Sequence, residues 1–436
     1  PLDDGAAALQ LAGVMHKSIA MPRTIDIATD SSPLGQAPQD IQHYMRAGTL
    51  QLQALPPLAL YMHLPWCLKK CPYCDFNSHG LAQGQPLPEQ RYIDALMADL
   101  EASLGMVWGR PVYSIFIGGG TPSLFSPQAI GQLISGLRAR LPLEAGCEIT
   151  LEANPGTFET ERFAAFAQAG VTRLSIGVQS FDDRFLQALG RVHSAAQARA
   201  AVAEAAQAFE TFNLDVMYAL PGQTLADVQR DVQTALSFAP PHLSVYHLSI
   251  EPNTYFAKHP PRQLPEDDQA YDMLDAITAA TAAHGLQRYE VSAYAQPRHE
   301  CLHNSNYWQF GDYLGIGAGA HSKISFAQRI TRQVRLRDPQ RYMESALAGR
   351  PLASDEDVRR KDLPFEYMLN ALRLRRGFSL LDFTASTGLS INRIGPALEQ
   401  AQRLGLLQRS GNHVQPTERG FDFLNDLQAL FLPQGD

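Results

Sequence analysis

The chain has 436 residues, of which 45% are hydrophobic, and it carries a formal net charge of −8 at pH 7. This length allows two or three domains around a large core, so we expect a globular protein. The acidic balance gives no support for nucleic acid or an anionic membrane surface as a partner. No apolar run approaches the roughly 18 residues of a membrane span, and the start lacks the pattern of a secretion signal, so we expect no integral membrane segment and no leader.

Strand-like and helical patterns alternate along the first two thirds of the chain, after an N-terminal extension. Residues 1–55 mix Ala, Gln, Pro, Ser and Asp without a sustained period, which predicts poor order. The predicted strands that follow are 58–64, 112–117, 148–153, 173–178, 213–220 and 243–250. The predicted helices between them are 91–104, 129–141, 162–169, 195–209 and 227–238. Six such units in series require parallel pairing, which predicts an open doubly wound sheet or a full or partial (β/α) barrel.

The last third of the chain has a different pattern. Beyond about residue 251 the alternation becomes irregular and includes a glycine-rich run at 311–319. After about residue 354 two helical segments precede a hairpin pattern turned at Gly411 and Asn412, which is the element order of a winged helix. The predicted domains are an extension (1–55), an α/β domain (56–300), a connecting segment (301–353) and a C-terminal winged-helix-like domain (354–436).

Three cysteines lie in one short loop directly after the first predicted strand: Cys67, Cys71 and Cys74. Their crowding and the odd total of five cysteines indicate metal ligation in a reducing cytoplasm rather than disulfides. A CxxxCxxC loop can ligate three irons of a 4Fe-4S cluster, and the remaining iron can bind the amino and carboxylate groups of S-adenosylmethionine. A Cys₃His zinc site that uses His63 or His79 is the alternative that the spacing also permits.

The cysteine loop resembles the motif of the radical-SAM superfamily, which has an aromatic residue before the last cysteine, here Tyr73. A second motif at 118–123, GGGTPS, follows the second predicted strand, as does the superfamily's glycine motif for the methionine amino group. Glycines there leave the backbone open to a ligand. The resemblance implies a partial (β/α)6 barrel of the radical-SAM type. The residues that it implies for S-adenosylmethionine are Tyr61, Tyr73, Gly119, Gly120, Thr121, Glu152, Gln179, Arg191 and Asp215.

Over about residues 56–430 the resemblance narrows to the oxygen-independent coproporphyrinogen III oxidase family and its heme chaperone branch, HemW. The oxidases resemble CxxxCxxCxC, whereas this chain has Phe76 in place of the added cysteine. It instead carries HNSNYW at 303–308, which resembles the HNxxYW motif of the chaperone branch. The departure at Phe76 argues against coproporphyrinogen oxidation, and the motif favours heme binding.

The heme residues that this resemblance implies are His303, Asn304, Tyr307 and Trp308. An imidazole can ligate heme iron, and aromatic rings can stack on a flat macrocycle. His321, which follows the glycine-rich run, is interpreted as a buried histidine rather than a second iron ligand.

Three functions are carried forward from the sequence. The first is a cytoplasmic heme chaperone that carries a 4Fe-4S cluster and S-adenosylmethionine, receives electrons from a donor, and passes heme to an acceptor hemoprotein. The alternative is an enzyme, an oxygen-independent coproporphyrinogen III oxidase that decarboxylates propionates oxidatively. A DNA-binding redox regulator is the third, and the acidic residues interspersed in the C-terminal domain argue against it.

Overall fold

The computed structural model describes residues 34–81, 85–156 and 162–433. The helices in these ranges are α1 (Ile41–Met45), α2 (Glu89–Val107), α3 (Pro127–Arg138), α4 (Phe163–Gln168), α5 (Asp183–Ala188), α6 (Ala195–Ala208), α7 (Leu225–Ser237), α8 (Tyr255–Lys258), α9 (Asp267–Ala283), α10 (Leu302–Trp308), α11 (Pro339–Leu347), α12 (Leu363–Ala371), α13 (Leu380–Thr387), α14 (Gly395–Arg403), α15 (Glu418–Asp422) and α16 (Leu424–Ala429). The strands are β1 (Leu58–Leu64), β2 (Trp66–Cys67), β3 (His79–Gly80), β4 (Val112–Gly119), β5 (Leu143–Ala153), β6 (Arg173–Gln179), β7 (Thr211–Tyr218), β8 (His242–His247), β9 (Gln287–Arg288), β10 (Ala293–Ala295), β11 (Asp312–Gly317), β12 (His321–Phe326), β13 (Arg329–Arg335), β14 (Leu352–Asp357), β15 (Phe378–Ser379), β16 (Leu407–Ser410) and β17 (His413–Pro416).

The main sheet of the described chain has twelve strands in the order β14-β13-β12-β11-β1-β4-β5-β6-β7-β8-β10-β9. The six predicted strands, now β1 and β4 to β8, pair in parallel and in sequential order. Sequential order with right-handed crossovers places the connecting helices on one face, and successive helices indeed pack on each other. A doubly wound sheet would reverse its order and cover both faces, so the partial (β/α)6 barrel is confirmed.

The parallel strands are largely buried, and in β6 to β8 apolar residues alternate with buried polar residues on the other face of the sheet. In β6 every residue from Arg173 to Val178 is buried, and the core of β1 includes Leu60 and Met62. Some of the helices that connect these strands begin at side-chain caps, such as Ser126 before α3 and Ser194 before α6. Strands β11 to β14 continue the same sheet, so most of the connecting segment belongs to the main body.

Residues 34–55 pack against this body, which differs from the expectation of a poorly ordered extension up to residue 55. Tyr44 in α1 is 1% exposed, and its ring stacks on Phe326 with the centroids 4.9 Å apart. Its hydroxyl donates to Oδ2 of Asp355 at 2.5 Å. Leu50 and Leu52 are buried as well, so a few side chains fix a segment that has no period in its sequence. Residues 1–33 lie outside the described residues.

The C-terminal domain has the predicted winged-helix-like element order. Helices α12, α13 and α14 precede the hairpin β16–β17, which β15 extends into a three-stranded sheet. The hairpin turns at Gly411 and Asn412, and Gly411 has a φ of +61° that suits glycine. A separate hydrophobic cluster, which includes Phe383 and Leu398, forms the core of this domain.

Candidate functional site

A cavity of about 320 Å³ is bounded by the cysteine loop after β1, by strands β4 to β8 and by α10. The cysteine loop borders it at the carboxyl end of β1, the end of the strands at which barrel folds build their sites. The predicted residues in its wall are Cys67, Cys71, Tyr73, Cys74, Gly119, Gly120, Thr121, Glu152, Gln179, Arg191, Asp215 and Asn304. The predicted residues outside the wall are Tyr61, His303, Tyr307 and Trp308.

The cysteine loop is held closed by the short parallel pair β2 and β3. Cys67, Cys71 and Cys74 are half-buried free thiols. Burial raises the pKa of Cys67 to about 11 and also raises the pKa of Cys74. A metal cation reverses this effect, because its positive charge stabilises the thiolate form. The loop therefore offers three sulfur ligands to one cavity.

The donor set suits a cubane better than a single zinc ion. Within the described residues no group of three or more His, Cys, Asp or Glu side chains is placed to hold one metal ion. Both ring nitrogens of His63 have partners, Tyr61 Oη and Asn77 O, each at 2.9 Å, and His79 Nε2 lies 3.3 Å from Asn77 Oδ1. Zinc needs four ligands about 2.0–2.3 Å from one centre, whereas each cysteine of a cubane binds a different iron.

The glycine motif lies beside the cysteine loop, and close packing requires its glycines. Gly119 has a φ of +119°, and a Cβ atom there would lie 2.6 Å from the ring of His63. A Cβ atom on Gly120 would lie 2.5 Å from the backbone oxygen of Trp66. The amide of Gly119 donates to Oε2 of Glu152 at 3.0 Å. Contact between protein segments is therefore a second reason for these glycines, besides the approach of a ligand.

Two buried carboxylates face the cavity from neighbouring parts of the sheet. Burial and the charge of Asp215 raise the pKa of Glu152 to about 7, against the hydrogen bond from the Gly119 amide. Burial also raises the pKa of Asp215, which accepts hydrogen bonds from Asn213 at 2.8 Å and Ser175 at 3.4 Å. Carboxylate oxygens in such a cavity can accept hydrogen bonds from ligand hydroxyl groups.

Arg191 connects the cysteine loop to the end of β6. Its guanidinium donates to Gly177 O at 2.8 Å, to Cys71 Sγ at 3.5 Å and to Asn154. Its Nε atom is buried and has no partner among the described residues. The last residue of β6, Gln179, has a φ of +66°, a left-handed backbone that a non-glycine residue adopts at a cost.

The heme-motif helix α10 packs its first histidine against the barrel strands. His303 is 3% exposed, and its ring centroid lies 5.1 Å from Phe116 and 6.2 Å from Tyr61. Burial, with a smaller contribution from Arg173, lowers the pKa of His303 to about 3. Neither ring nitrogen has a hydrogen-bond partner among the described residues. The imidazole is therefore a neutral base whose nitrogens are unused, which is unusual for a buried polar group.

The other residues of the motif divide between the cavity and the protein interior. Asn304 lies in the cavity wall. Tyr307 stacks on Tyr313 with the centroids 4.1 Å apart, and the guanidinium of Arg373 lies 4.2 Å from the centre of the Trp308 ring. Both aromatic side chains therefore already contact protein groups. The Trp308 Nε1 atom is buried and has no partner among the described residues.

His321 corrects one interpretation of the sequence. It is the first residue of β12 and is exposed rather than buried. The backbone of His321 packs closely against Gly315, where an added Cβ atom would lie 2.0 Å from the His321 carbonyl oxygen. The glycine-rich run thus accommodates the backbone of His321 and leaves its side chain outside the core.

Two family sequence models match the chain. Residues 61–235 match the radical SAM superfamily, and residues 358–423 match the HemN C-terminal domain. A protein of Escherichia coli K12 named heme chaperone HemW is 48% identical, over 87% of this chain and 99% of its own length. This chain belongs to the HemW family of the radical SAM superfamily. The HemW proteins of Haemophilus influenzae and Bacillus subtilis are 45% and 34% identical and match 99% and 98% of their own lengths.

A solved structure supports the same fold for this HemW family member. The coproporphyrinogen III oxidase HemN of Escherichia coli, described as a radical SAM enzyme, matches with a TM-score of 0.73 over 91% of this chain and 99% of its own. At 21% identity this likeness shows the fold alone. Membership of the superfamily implies a 4Fe-4S cluster and S-adenosylmethionine. None of the helices in the described ranges is both long and apolar enough to cross a membrane.

Sequence reasoning missed several polar side chains of the cavity wall. They are Arg173 and Ser175 on β6, Asn213 on β7 and Ser244 on β8. Each lies two positions from another residue of the cavity wall, because side chains alternate between the two faces of a strand. Polar residues at a period of two inside buried apolar strands are the signal that could have found them.

Proposed function

We propose that this protein is a heme chaperone: it binds heme through His303 and transfers it to an acceptor hemoprotein. The observation that carries the proposal is the pair of unpartnered ring nitrogens on a histidine that is 3% exposed. A buried polar group without a partner costs about 1–3 kcal/mol, and an iron–nitrogen bond satisfies one of the two nitrogens. The name heme chaperone on relatives of up to 48% identity supports the same function.

The proposal also assigns a cofactor site to the cavity. We propose that Cys67, Cys71 and Cys74 hold the 4Fe-4S cluster and that S-adenosylmethionine binds beside it. When bound, this pair can supply reductive cleavage of a sulfonium carbon–sulfur bond, for which a protein electron donor is required. The chain's own part is to hold the ligand in place. Its remaining proposed contacts are Tyr61, Tyr73, Gly119, Gly120, Thr121, Glu152, Gln179, Arg191 and Asp215.

These contacts differ in what their atoms offer. Glu152 and Asp215 supply acceptor oxygens that suit ribose hydroxyls. Arg191 fixes the loop that carries Cys71 against β6, through its bonds to Cys71 and Gly177. The oxidase branch resembles this chain but has a cysteine at the position of Phe76. Phe76 lies in the cavity wall and is 66% exposed. We therefore propose no oxidation of coproporphyrinogen, and we propose that the protein works in a reducing cytoplasm.

Heme titration of the anaerobically reconstituted protein tests the heme site. Wild type, His303→Phe and the control His413→Ala are titrated with hemin and followed by the Soret band. His413 is exposed in the winged hairpin, so its loss should leave the titration unchanged. We expect His303→Phe to bind at least about tenfold more weakly and to lose the spectrum of a histidine-ligated iron. Identical titrations for wild type and His303→Phe would remove His303 as the ligand.

Two further measurements complete the test. Transfer is followed as gain of activity or of the Soret band by a heme-free acceptor mixed with the loaded protein. Incubation with coproporphyrinogen III, reductant and S-adenosylmethionine is expected to give no protoporphyrinogen. Turnover in that assay would replace the chaperone proposal with the oxidase.

A further inference from the structure

Arg173 is a buried cation in the cavity wall to which the proposed function assigns no role. It is the first residue of β6, and its side chain is 3% exposed. Its Nε atom has no hydrogen-bond partner among the described residues. The nearest carboxylate atom recorded for it, Glu148 Oε2, lies 4.0 Å away, at the outer limit of an ion pair. The guanidinium therefore keeps hydrogen-bond capacity inside a cavity.

The carboxylates around Arg173 also accept hydrogen bonds from other donors. Glu148 Oε1 accepts the backbone amides of Leu302 at 3.0 Å and His303 at 3.5 Å. Asp215 accepts from Asn213 and Ser175. A buried guanidinium nitrogen without an acceptor is unfavourable, and a carboxylate oxygen that reaches it removes that penalty. The Nε atom of Arg173 therefore has capacity for one more carboxylate oxygen.

Arg173 also lies beside the proposed heme ligand. The two oxygens of Glu148 reach both residues, since Oε1 accepts the His303 amide and Oε2 faces Arg173 Nε. Asn304, the residue after the ligand, lies in the same cavity wall as Arg173. A heme whose iron binds His303 also carries two propionate carboxylates, on flexible side chains at the edge of its ring.

We propose that Arg173 binds a propionate carboxylate of heme, so that the protein holds heme at its iron and at its edge. The inference rests on the proposed heme-binding function. Arginine is the side chain suited to this role, because its planar fork pairs with both oxygens of a carboxylate. The competing explanation is that Arg173 only balances the charges of Glu148 and Asp215, in which case the propionates make no difference to binding.

The ligand rather than the protein is changed in the first test. The reconstituted full-length wild type is titrated with hemin and with hemin dimethyl ester, in which both carboxylates are blocked while the iron is unchanged. We expect hemin to bind at least about tenfold more tightly than the ester. Equal affinities would overturn the role of Arg173 and leave His303 ligation intact. Failure of wild type to bind either compound would overturn the proposed function itself.

Variants then assign the preference to Arg173. Arg173→Gln should lose the preference for hemin over its ester, while its Soret spectrum stays that of a histidine-ligated iron. Arg173→Lys keeps the charge beside Glu148 but lacks the fork, so we expect an intermediate preference. Arg230→Gln, at a 62% exposed side chain, is the control and should retain the full preference. A full preference in both Arg173 variants would overturn the assignment. If neither variant folds, a wild type that shows no preference for hemin over its ester still overturns it.

Discussion

Replacing His303 by phenylalanine tests whether this histidine serves to bind a ligand or to stabilise the fold. The ring lies among Phe116, Tyr307 and Tyr61, with centroids 5.1, 5.2 and 6.2 Å away, so a phenyl ring finds aromatic partners at ordinary distances. The substitution removes two buried nitrogens that have no partner in the described chain, each of which destabilises the fold by about 1–3 kcal/mol. The slightly larger phenyl ring must be accommodated in a packed site, which destabilises the fold by roughly 1 kcal/mol and offsets part of this gain.

We therefore expect the ligand-free His303→Phe protein to be more stable than wild type by about 1–5 kcal/mol, and to bind heme at least about tenfold more weakly. The assay is urea unfolding of ligand-free protein, read as a shift of the midpoint at constant slope. The matched control is His242→Phe, at a histidine that is 1% exposed and has both ring nitrogens paired, to Asn213 Oδ1 at 2.7 Å and Tyr289 Oη at 3.0 Å.

His242→Phe should destabilise the fold by about 1–3 kcal/mol, because it leaves two buried polar groups short of a partner. The two substitutions are the same in chemistry and burial but opposite in expected sign. If His303→Phe destabilises the protein as much as His242→Phe does, the His303 ring has structural partners, and the reasoning from its unused nitrogens is refuted.

Three other predictions follow from the cavity. Glu152→Gln should stabilise the ligand-free protein by up to about 3 kcal/mol above pH 7 and have little effect near pH 4.5. The reason is the raised pKa of Glu152, because of which the wild type loses stability as the pH rises between these values. Thermal unfolding measured against pH checks this, with Glu399→Gln as an exposed control. Cys71→Ala should abolish stable cluster binding, measured as iron and sulfide per chain, yet leave the far-ultraviolet circular dichroism unchanged. Gly119→Ala should destabilise by more than about 2 kcal/mol in urea unfolding, since its φ is +119° and the added carbon meets the His63 ring, whereas Gly109→Ala, with nothing near its Cβ, should cost about 1 kcal/mol.

The parts of the fold that the sequence predicts well are those fixed by local pattern. The strand from Leu58 is apolar at nearly every residue, and the strand from Arg173 carries its signal in the alternating Leu174, Ile176 and Val178. The turn at Gly411 is equally local, because a positive φ demands a residue of this kind. The cysteine loop is a spacing motif, and it needs only the preceding strand to place it at the cavity.

The parts that the sequence did not predict depend on distant residues. Tyr44 is buried by Phe326, which lies far along the chain, so nothing near residue 44 signals its order. The glycine motif is required by the close approach of the His63 ring, as well as by any ligand. Arg173 reads as the polar start of an apolar strand, and only the curved sheet shows that it lies in the wall of the cavity.

The cavity is long enough for two chemically different ends. Residues 173, 175, 177 and 179 of β6 all lie in its wall, and a strand advances about 3.3 Å per residue, so this wall runs for about 20 Å. At one end are Gln179, Arg191 and the three cysteines, which suit a cluster and a sulfonium ligand. At the other end are Arg173 and Asn304, next to His303, which suit the charged edge of heme. The groups proposed to hold heme are therefore distinct from those proposed to hold the cofactor.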